Sequence, residues 1–476
     1  MAEASRLRLE SDAAEALVER GVGGAHLQEL DERLAAVACD FATEIKAGRS
    51  VLARHQRAWV FAHKRREEVS ATARTAGRLR GEFEVFVVVG VGGSDLAARV
   101  LHDTLDHPQY NLMTGEARGG APEVHFTGDT FDPRQLLGLL DGLETRGLLR
   151  KTVFNVVSKS GTTPETLVAT MVIRQALQRA GLDWRHHVVA TTGMNEQSLL
   201  YRMHQRHAFR DLLPVPEGVG GRFSFASPVG LLLLGVTASG RRQTPHQRIL
   251  AGLRGYEEAH RRLLLAPGDE RNAAFRLARC LQVAEQFGGK RMLIFYDFAD
   301  ERMLGEWFVQ LWAESLQERG GGMDVMATRG STGNHSVLNG ILRGARNKVV
   351  LFICWEDLGQ DEVLSLGGIK ELRPYRGLRL GQMQRASWQG TCEDFTANGV
   401  PNMTLTVRRR DESHLFALMR TLMDMVAVKG RLQGLHLNAA GRGELGRELT
   451  YRQDGVEGYK ERSRRIATEL PRGGCA

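Results

Sequence analysis

Between Phe83 and Leu105 the chain reads FEVFVVVGVGGSDLAARVLHDTL: an unbroken apolar, β-branched run, a glycine turn, then apolar residues at helical spacing. A strand without polar alternation is buried on both faces, which is the condition of a parallel sheet covered by helices. The theme recurs in EVHFTGD, TVFNVVSKSG and HHVVATTG, separated by helical stretches such as PETLVATMVIRQALQRA. Strand and helix in alternation predict an α/β fold with a mostly parallel sheet. After a helical middle section the pattern restarts with the strand KRMLIFYDFAD and the helix RMLGEWFVQLWAESLQ. DVMATRGS, NKVVLFICWE, NMTLTVRR and the helix SHLFALMRTLMDMVAVKGRL follow. Two α/β units in tandem are therefore expected, over 81–245 and 246–438. Before them lies an N-terminal helical segment (1–80); after them comes a polar C-terminal arm (439–476) ending in a helix. With 476 residues the chain can build two or three cores of ordinary size.

Composition narrows the function classes. The longest apolar runs, such as VGLLLLGV around Leu232, are too short to cross a bilayer, and MAEASRLRLE lacks the apolar core of a secretory signal. A cytoplasmic protein without a membrane partner is expected. The five cysteines are scattered and form no CxxC pair, and HExxH is absent, so neither a disulfide framework nor a metal site is expected. The net charge of +8 comes mostly from arginines dispersed along the chain. Without a basic block or interleaved aromatics this does not read as a nucleic-acid surface, and it suits a small anionic substrate.

Two loops carry the chemistry. The first strand ends in Gly90-Val91-Gly92-Gly93-Ser94-Asp95. Asp95 stands where a dinucleotide fingerprint needs a small residue, and no GK[ST] follows, so neither a Rossmann nor a Walker A loop fits. The alternatives are a plain tight turn, or donors from Ser94 and the following amides presented to an anion. The second loop, SKSGTTPET, places Ser158, Ser160, Thr162 and Thr163 within six residues, with Pro164 at the start of the next helix. A helix cap needs one hydroxyl, not four. Two such loops after parallel strands would lie side by side at the carboxyl edge of one sheet and form a phosphomonoester cradle.

Together the loops resemble the sugar isomerase (SIS) fold, and the order of further motifs resembles the phosphoglucose isomerase family. GVGGS, SKSGTTPET, VGGRFS (Val219–Ser224), QLWAES (Gln310–Ser315), the Gly333-Asn334-His335-Ser336 stretch and QDGVEGYK (Gln453–Lys460) follow the family pattern over about residues 80–465. The resemblance implies two SIS-type, flavodoxin-like αβα domains and interconversion of glucose 6-phosphate and fructose 6-phosphate, a step of glycolysis and gluconeogenesis, without a cofactor. Three departures stand out. Gly161 replaces a bulkier residue, Leu316-Gln317-Glu318-Arg319 follows the ES pair, and AAGRGELGRELTYR precedes Gln453.

Aldose–ketose isomerisation moves a proton between C1 and C2 and needs one base near both carbons. Glu314 lies one helical turn after Gln310, so both occupy one face, with Trp307 and Leu311 beside it. By itself Glu314 reads as an ordinary solvated helix glutamate; the resemblance makes it the base. Glu306 and Glu318 lack the QxxxES context. The resemblance likewise implies Arg222 as the cation that stabilises the enediolate, and His335 and Lys460 as the ring-opening pair. Gly93, Ser94, Ser158, Lys159, Ser160, Gly161, Thr162, Thr163, Gln310 and Gln453 would bind the substrate. In similar proteins the histidine comes from the neighbouring subunit, which implies a homodimer with shared sites. Two other readings compete: a sugar-phosphate sensor of the same fold, which needs none of Glu314, Arg222, His335 and Lys460, and an isomerase for another sugar phosphate.

Overall fold

The computed structural model describes residues 6–240, 242–365, 367–437 and 448–471. Among the described residues ten strands form two five-stranded sheets. The first contains β2 (Val85–Val89), β3 (Glu123–Thr127), β4 (Thr152–Ser158), β5 (Val188–Thr192) and β6 (Asp211–Pro214), in the order β3-β2-β4-β5-β6 and parallel throughout. The second contains β1 (Leu7–Glu10), β7 (Met292–Asp297), β8 (Asp324–Arg329), β9 (Lys348–Asp357) and β10 (Asn402–Arg409), in the order β1-β10-β9-β7-β8. All are parallel except β1, which pairs antiparallel with β10.

Each central strand is apolar on both sides because each sheet is covered on both sides. Val85, Val87 and Val89 of β2 pack with Phe154 and Val156 of β4 on one face, while Phe86 and Val88 join Val153 and Val157 on the other. In the second sheet, Leu293, Phe295, Leu351 and Leu405 face the large shared core, whereas Ile294, Tyr296, Val350 and Phe352 face a smaller one. The helix Glu412–Leu432 runs through the large core, buried from His414 to Leu432.

The sequence-based outline needs two additions. The described part of the segment 1–80 is mainly helical but also contains β1, whose Leu7 and Leu9 are buried while Arg8 and Glu10 are exposed. Four residues are too few for alternation to stand out from helical spacing. The short β6 carries no clearer signal, because DLLP is four residues closed by a proline. The apolar run at Leu232 is the buried helix Pro228–Val236, and among the described residues no helix is long and apolar enough to cross a membrane. Of the C-terminal arm, residues 439–447 and 472–476 lie outside the described residues, including most of the divergent stretch before Gln453.

Candidate active site

Because β2 and β4 are neighbouring parallel strands, the two loops at their carboxyl ends lie beside each other, as the motif order required. After β2 the chain makes a 3-10 turn over Gly92–Ser94 and enters the helix Leu96–Leu105. A Cβ on Gly93 would lie 2.3 Å from the carbonyl carbon of Gly221 and 2.6 Å from the Arg222 nitrogen. Only glycine permits that backbone-to-backbone approach, which brings the VGGRFS loop against the GVGGS loop. Ser224 Oγ stitches the two, donating to the carbonyls of Gly221 at 2.7 Å and Gly93 at 3.3 Å. Ser94 is half-buried in the same turn.

Within SKSGTTPET the four hydroxyls divide into two sets. Ser158 is fully buried; its Oγ meets Thr163 Oγ1 at 2.9 Å and accepts from the Gly161 amide at 3.1 Å. In this position it braces the loop from beneath. Ser160 and Thr162 are exposed, and Thr162 Oγ1 donates to Ser160 Oγ at 3.1 Å. Thr163 occupies the N-cap of the helix Pro164–Arg179 without capping it, so the amides of the first turn stay open to an anion. Gly161 has φ +64°, and a Cβ there would fall 2.0 Å from Ser198 Oγ. The departure at this position therefore has a local cause, since Ser198 caps the helix Leu199–His207 and fills the space. Lys159 is half-buried, and burial together with the Arg222 charge lowers its pKa.

Arg222 joins these loops to the helix Met303–Leu316. Its side chain is 1% exposed. Nε donates to Ser315 Oγ at 2.7 Å and Nη1 to Glu314 Oε2 at 3.1 Å. Nη2 reaches the carbonyls of Thr450 (2.7 Å), Glu314 (2.9 Å) and Arg452 (3.1 Å). Burial brings its pKa down to about 10, against the pull of Glu314, so it remains a cation at neutral pH. Trp307, fully buried, donates Nε1–H to the Arg222 carbonyl at 3.3 Å and fixes the helix from below.

Glu314 is the convergence point. Gln310 Nε2 donates to Oε1 at 3.1 Å, and Gln453 Nε2 donates to Oε2 at 2.6 Å. A quarter of the side chain stays exposed. Gln310 is admitted by Gly92, where a Cβ would stand 2.9 Å from Gln310 Nε2. Gln310 Oε1 is buried without a partner among the described residues, an unspent acceptor beside the carboxylate.

Sequence reasoning missed some of this constellation. Ser315 was visible only as the end of QLWAES, and the Thr450 and Arg452 carbonyls carry no side-chain signal. Asp103 was also missed: its Oδ2 accepts from the Arg302 and Met303 amides at 2.8 and 3.0 Å. An aspartate of the first unit thus caps the helix that bears Glu314.

His335 and Lys460 are placed differently. His335 is exposed in the 3-10 turn Thr332–His335 after β8. The turn is held by the Tyr296 hydroxyl donating to Asn334 and by Asn334 Nδ2 donating to Thr391 Oγ1 at 2.9 Å. Among the described residues no hydrogen bond joins His335 to Glu314, Gln310 or Arg222. Lys460 is half-buried on the helix Glu457–Glu469, which follows Gln453.

The phosphoglucose isomerase family model matches residues 39–246, the part that holds both loops and Arg222. A glucose-6-phosphate isomerase from Rubrobacter xylanophilus is 34% identical over 453 residues, covering 93% of this chain and 97% of that protein. The chain belongs to the phosphoglucose isomerase family. A glucose-6-phosphate isomerase from Carboxydothermus hydrogenoformans is 30% identical over 84% of this chain and 85% of its own length. Among solved structures, a hypothetical protein from Thermus thermophilus superposes with a TM-score of 0.76 at 26% identity, covering 97% of this chain and 99% of that one. A glucose-6-phosphate isomerase from Chlamydia trachomatis, at 19% identity and a TM-score of 0.73 over 98% of this chain and 90% of its own, shares the fold.

Proposed function

We propose that the chain interconverts D-glucose 6-phosphate and D-fructose 6-phosphate, with Glu314 carrying the proton between C2 and C1 of an open-chain cis-enediol. The observation that supports this most directly is the set of donors on one carboxylate: Gln310, Gln453 and Arg222 from three separate segments. Such fixing holds a base within reach of two adjacent carbons. Arg222 lies against the same carboxylate, and its Nη1 has a second N–H for the enediolate oxygens, where charge develops. The phosphate is held by Ser160, Thr162 and the uncapped amides of the helix Pro164–Arg179, with Ser94 and Lys159 at the rim.

The units divide the work. The phosphate loops belong to 81–245, the base and His335 to 246–438, and Gln453 and Lys460 to the C-terminal arm. His335 and Lys460 open the sugar ring, as the family pattern implies. The exposure of His335, and its lack of a bond to the Glu314 cluster, fit a histidine that serves the site of a second copy in a homodimer. Exposed Tyr459 and Ile466 on the terminal helix, with Leu470 just after it, fit burial against that copy. We place the enzyme in the cytoplasm, acting on sugar phosphates and not on nucleic acid.

The test is a coupled assay of fructose 6-phosphate formation from glucose 6-phosphate, with mannose 6-phosphate run beside it. Turnover of glucose 6-phosphate is expected; no conversion above the blank overturns the reading.

A further inference from the structure

The site is completed by a short strap, Glu448–Gln453, that arrives from the C-terminal arm. Three of its residues act on the cluster: the Thr450 and Arg452 carbonyls accept from Arg222 at 2.7 and 3.1 Å, and Gln453 donates to Glu314 at 2.6 Å. Gln453 is itself exposed, so its aim depends on how the strap is seated.

Gly430, beneath the strap, and Glu448, at its start, both bear on that seating. Gly430, near the end of the buried helix Glu412–Leu432, lies directly under Thr450. A Cβ there would stand 2.2 Å from Thr450 Oγ1 and 3.0 Å from its Cγ2. Threonine is branched at Cβ and cannot swing both atoms aside, so the strap would have to lift. Glu448, 5% exposed, pairs with Arg431 one residue further along the helix. Arg431 also holds Glu44 Oε1 at 2.7 Å, and Glu44 pairs in turn with the fully buried Arg57. The Leu449 amide donates to the Leu435 carbonyl at 3.0 Å, and Tyr451 meets Phe223, the neighbour of Arg222, edge to face at 5.4 Å. Burying a carboxylate in such a chain of charges contributes little net stability, because desolvation offsets the attraction. What it does fix is the register of the segment that carries it.

We infer that Gly430 and Glu448 are positioning residues for the isomerase reaction: the flat seat at Gly430 and the Glu448–Arg431 pair hold the strap where its carbonyls orient Arg222 and Gln453 orients Glu314. The inference rests on the reading of Glu314 as the base.

The experiment compares Gly430→Ala, Glu448→Ala and Glu448→Gln by kcat and KM, each also made in a Gln453→Ala background. Gly430→Ala and Glu448→Ala are expected to lower kcat by ~10- to 100-fold with KM little changed, the size of effect a small misplacement of reacting groups produces. Glu448→Gln, which keeps an acceptor for Arg431, should restore part of the rate. In the Gln453→Ala background each change should add much less, because both act through the same bond. Inhibition by inorganic phosphate should match wild type, since the cradle belongs to other loops. Unchanged kcat in both Glu448 variants, full additivity with Gln453→Ala, or lost phosphate inhibition would overturn the inference. Glu314→Gln assayed in parallel separates the two readings. If that variant stays active, the base assignment fails; if it is inactive while the strap variants turn over normally, only the strap inference fails.

Discussion

Gln453 and Glu314 stand 139 residues apart in sequence, yet Gln453 Nε2 donates to Glu314 Oε2 at 2.6 Å. Arg222 approaches the same oxygen at 3.1 Å from a third segment. A partly exposed carboxylate on a helix would ordinarily sample several rotamers in water. Here the donors confine it, and the confinement is what distinguishes Glu314 from Glu306 and Glu318 on and beside the same helix.

Replacing Glu314 by Gln keeps the size of the side chain but removes the carboxylate we propose as the base. Turnover is expected to fall by ~10² to 10⁴, the usual worth of a positioned acid or base, while inorganic phosphate still inhibits whatever activity remains. Steady-state kinetics in both directions check this; near wild-type kcat would refute it.

The two exposed hydroxyls and the buried one should behave differently. Ser160→Ala with Thr162→Ala removes the exposed hydroxyls of the proposed cradle and should raise KM by ~10- to 100-fold with kcat largely kept, as for lost hydrogen bonds to a charged group. Ser158→Ala removes a brace inside the loop and should lower the melting temperature as well. Equal effects on KM and melting temperature in both variants would contradict the division.

Glycine position matters more than glycine content. Gly93→Ala drives a methyl into the Gly221–Arg222 backbone and should cost about 1–3 kcal/mol of stability along with most of the activity. Gly138, inside the helix Pro133–Thr145, has nothing within 4 Å of its Cβ position, so Gly138→Ala should stabilise by about 0.5–1 kcal/mol. Urea unfolding of the two variants provides the comparison, and a destabilised Gly138→Ala would argue against the stated geometry.

Asp297, at the end of β7, and Glu301 are nearly wholly buried, and Arg410 meets Glu301 Oε1 at 3.1 Å. Burial raises both pKa values, that of Asp297 further through repulsion by Glu301, and takes Glu301 to about 7. The folded chain therefore holds a proton that the unfolded chain releases as pH rises past the ordinary carboxylate range. Stability attributable to this pair is present below that range and declines as pH climbs through about 7. Glu301→Gln should flatten the loss of stability between pH 5 and pH 8, measured by urea midpoints relative to wild type; an identical slope in the variant would rule the pair out as its source.

Much of this site was legible in the sequence because its parts are local. A buried strand followed by small or hydroxyl residues and a helix is written within about twenty positions, so β2, β4 and the GVGGS and SKSGTTPET loops could be placed, and the adjacency of β2 and β4 followed from rules of parallel sheets. Order and spacing of motifs located Glu314, Arg222 and Gln453. By contrast β1 and β6 are four residues each, too short for a period to declare itself.

What the sequence by itself determined, then, was the alternation of strand and helix, the two loops, and the family to which their order belongs. Which hydroxyl of the Ser/Thr loop faces out and which braces it, why Gly161 and Gly93 tolerate no side chain, and how Asp103, Ser315 and the Thr450 and Arg452 carbonyls engage the Glu314 cluster were decided only by tertiary structure. The reason is physical: these depend on atoms brought within a few ångströms from segments far apart in the chain, and neither periodicity nor local propensity encodes a contact at that range.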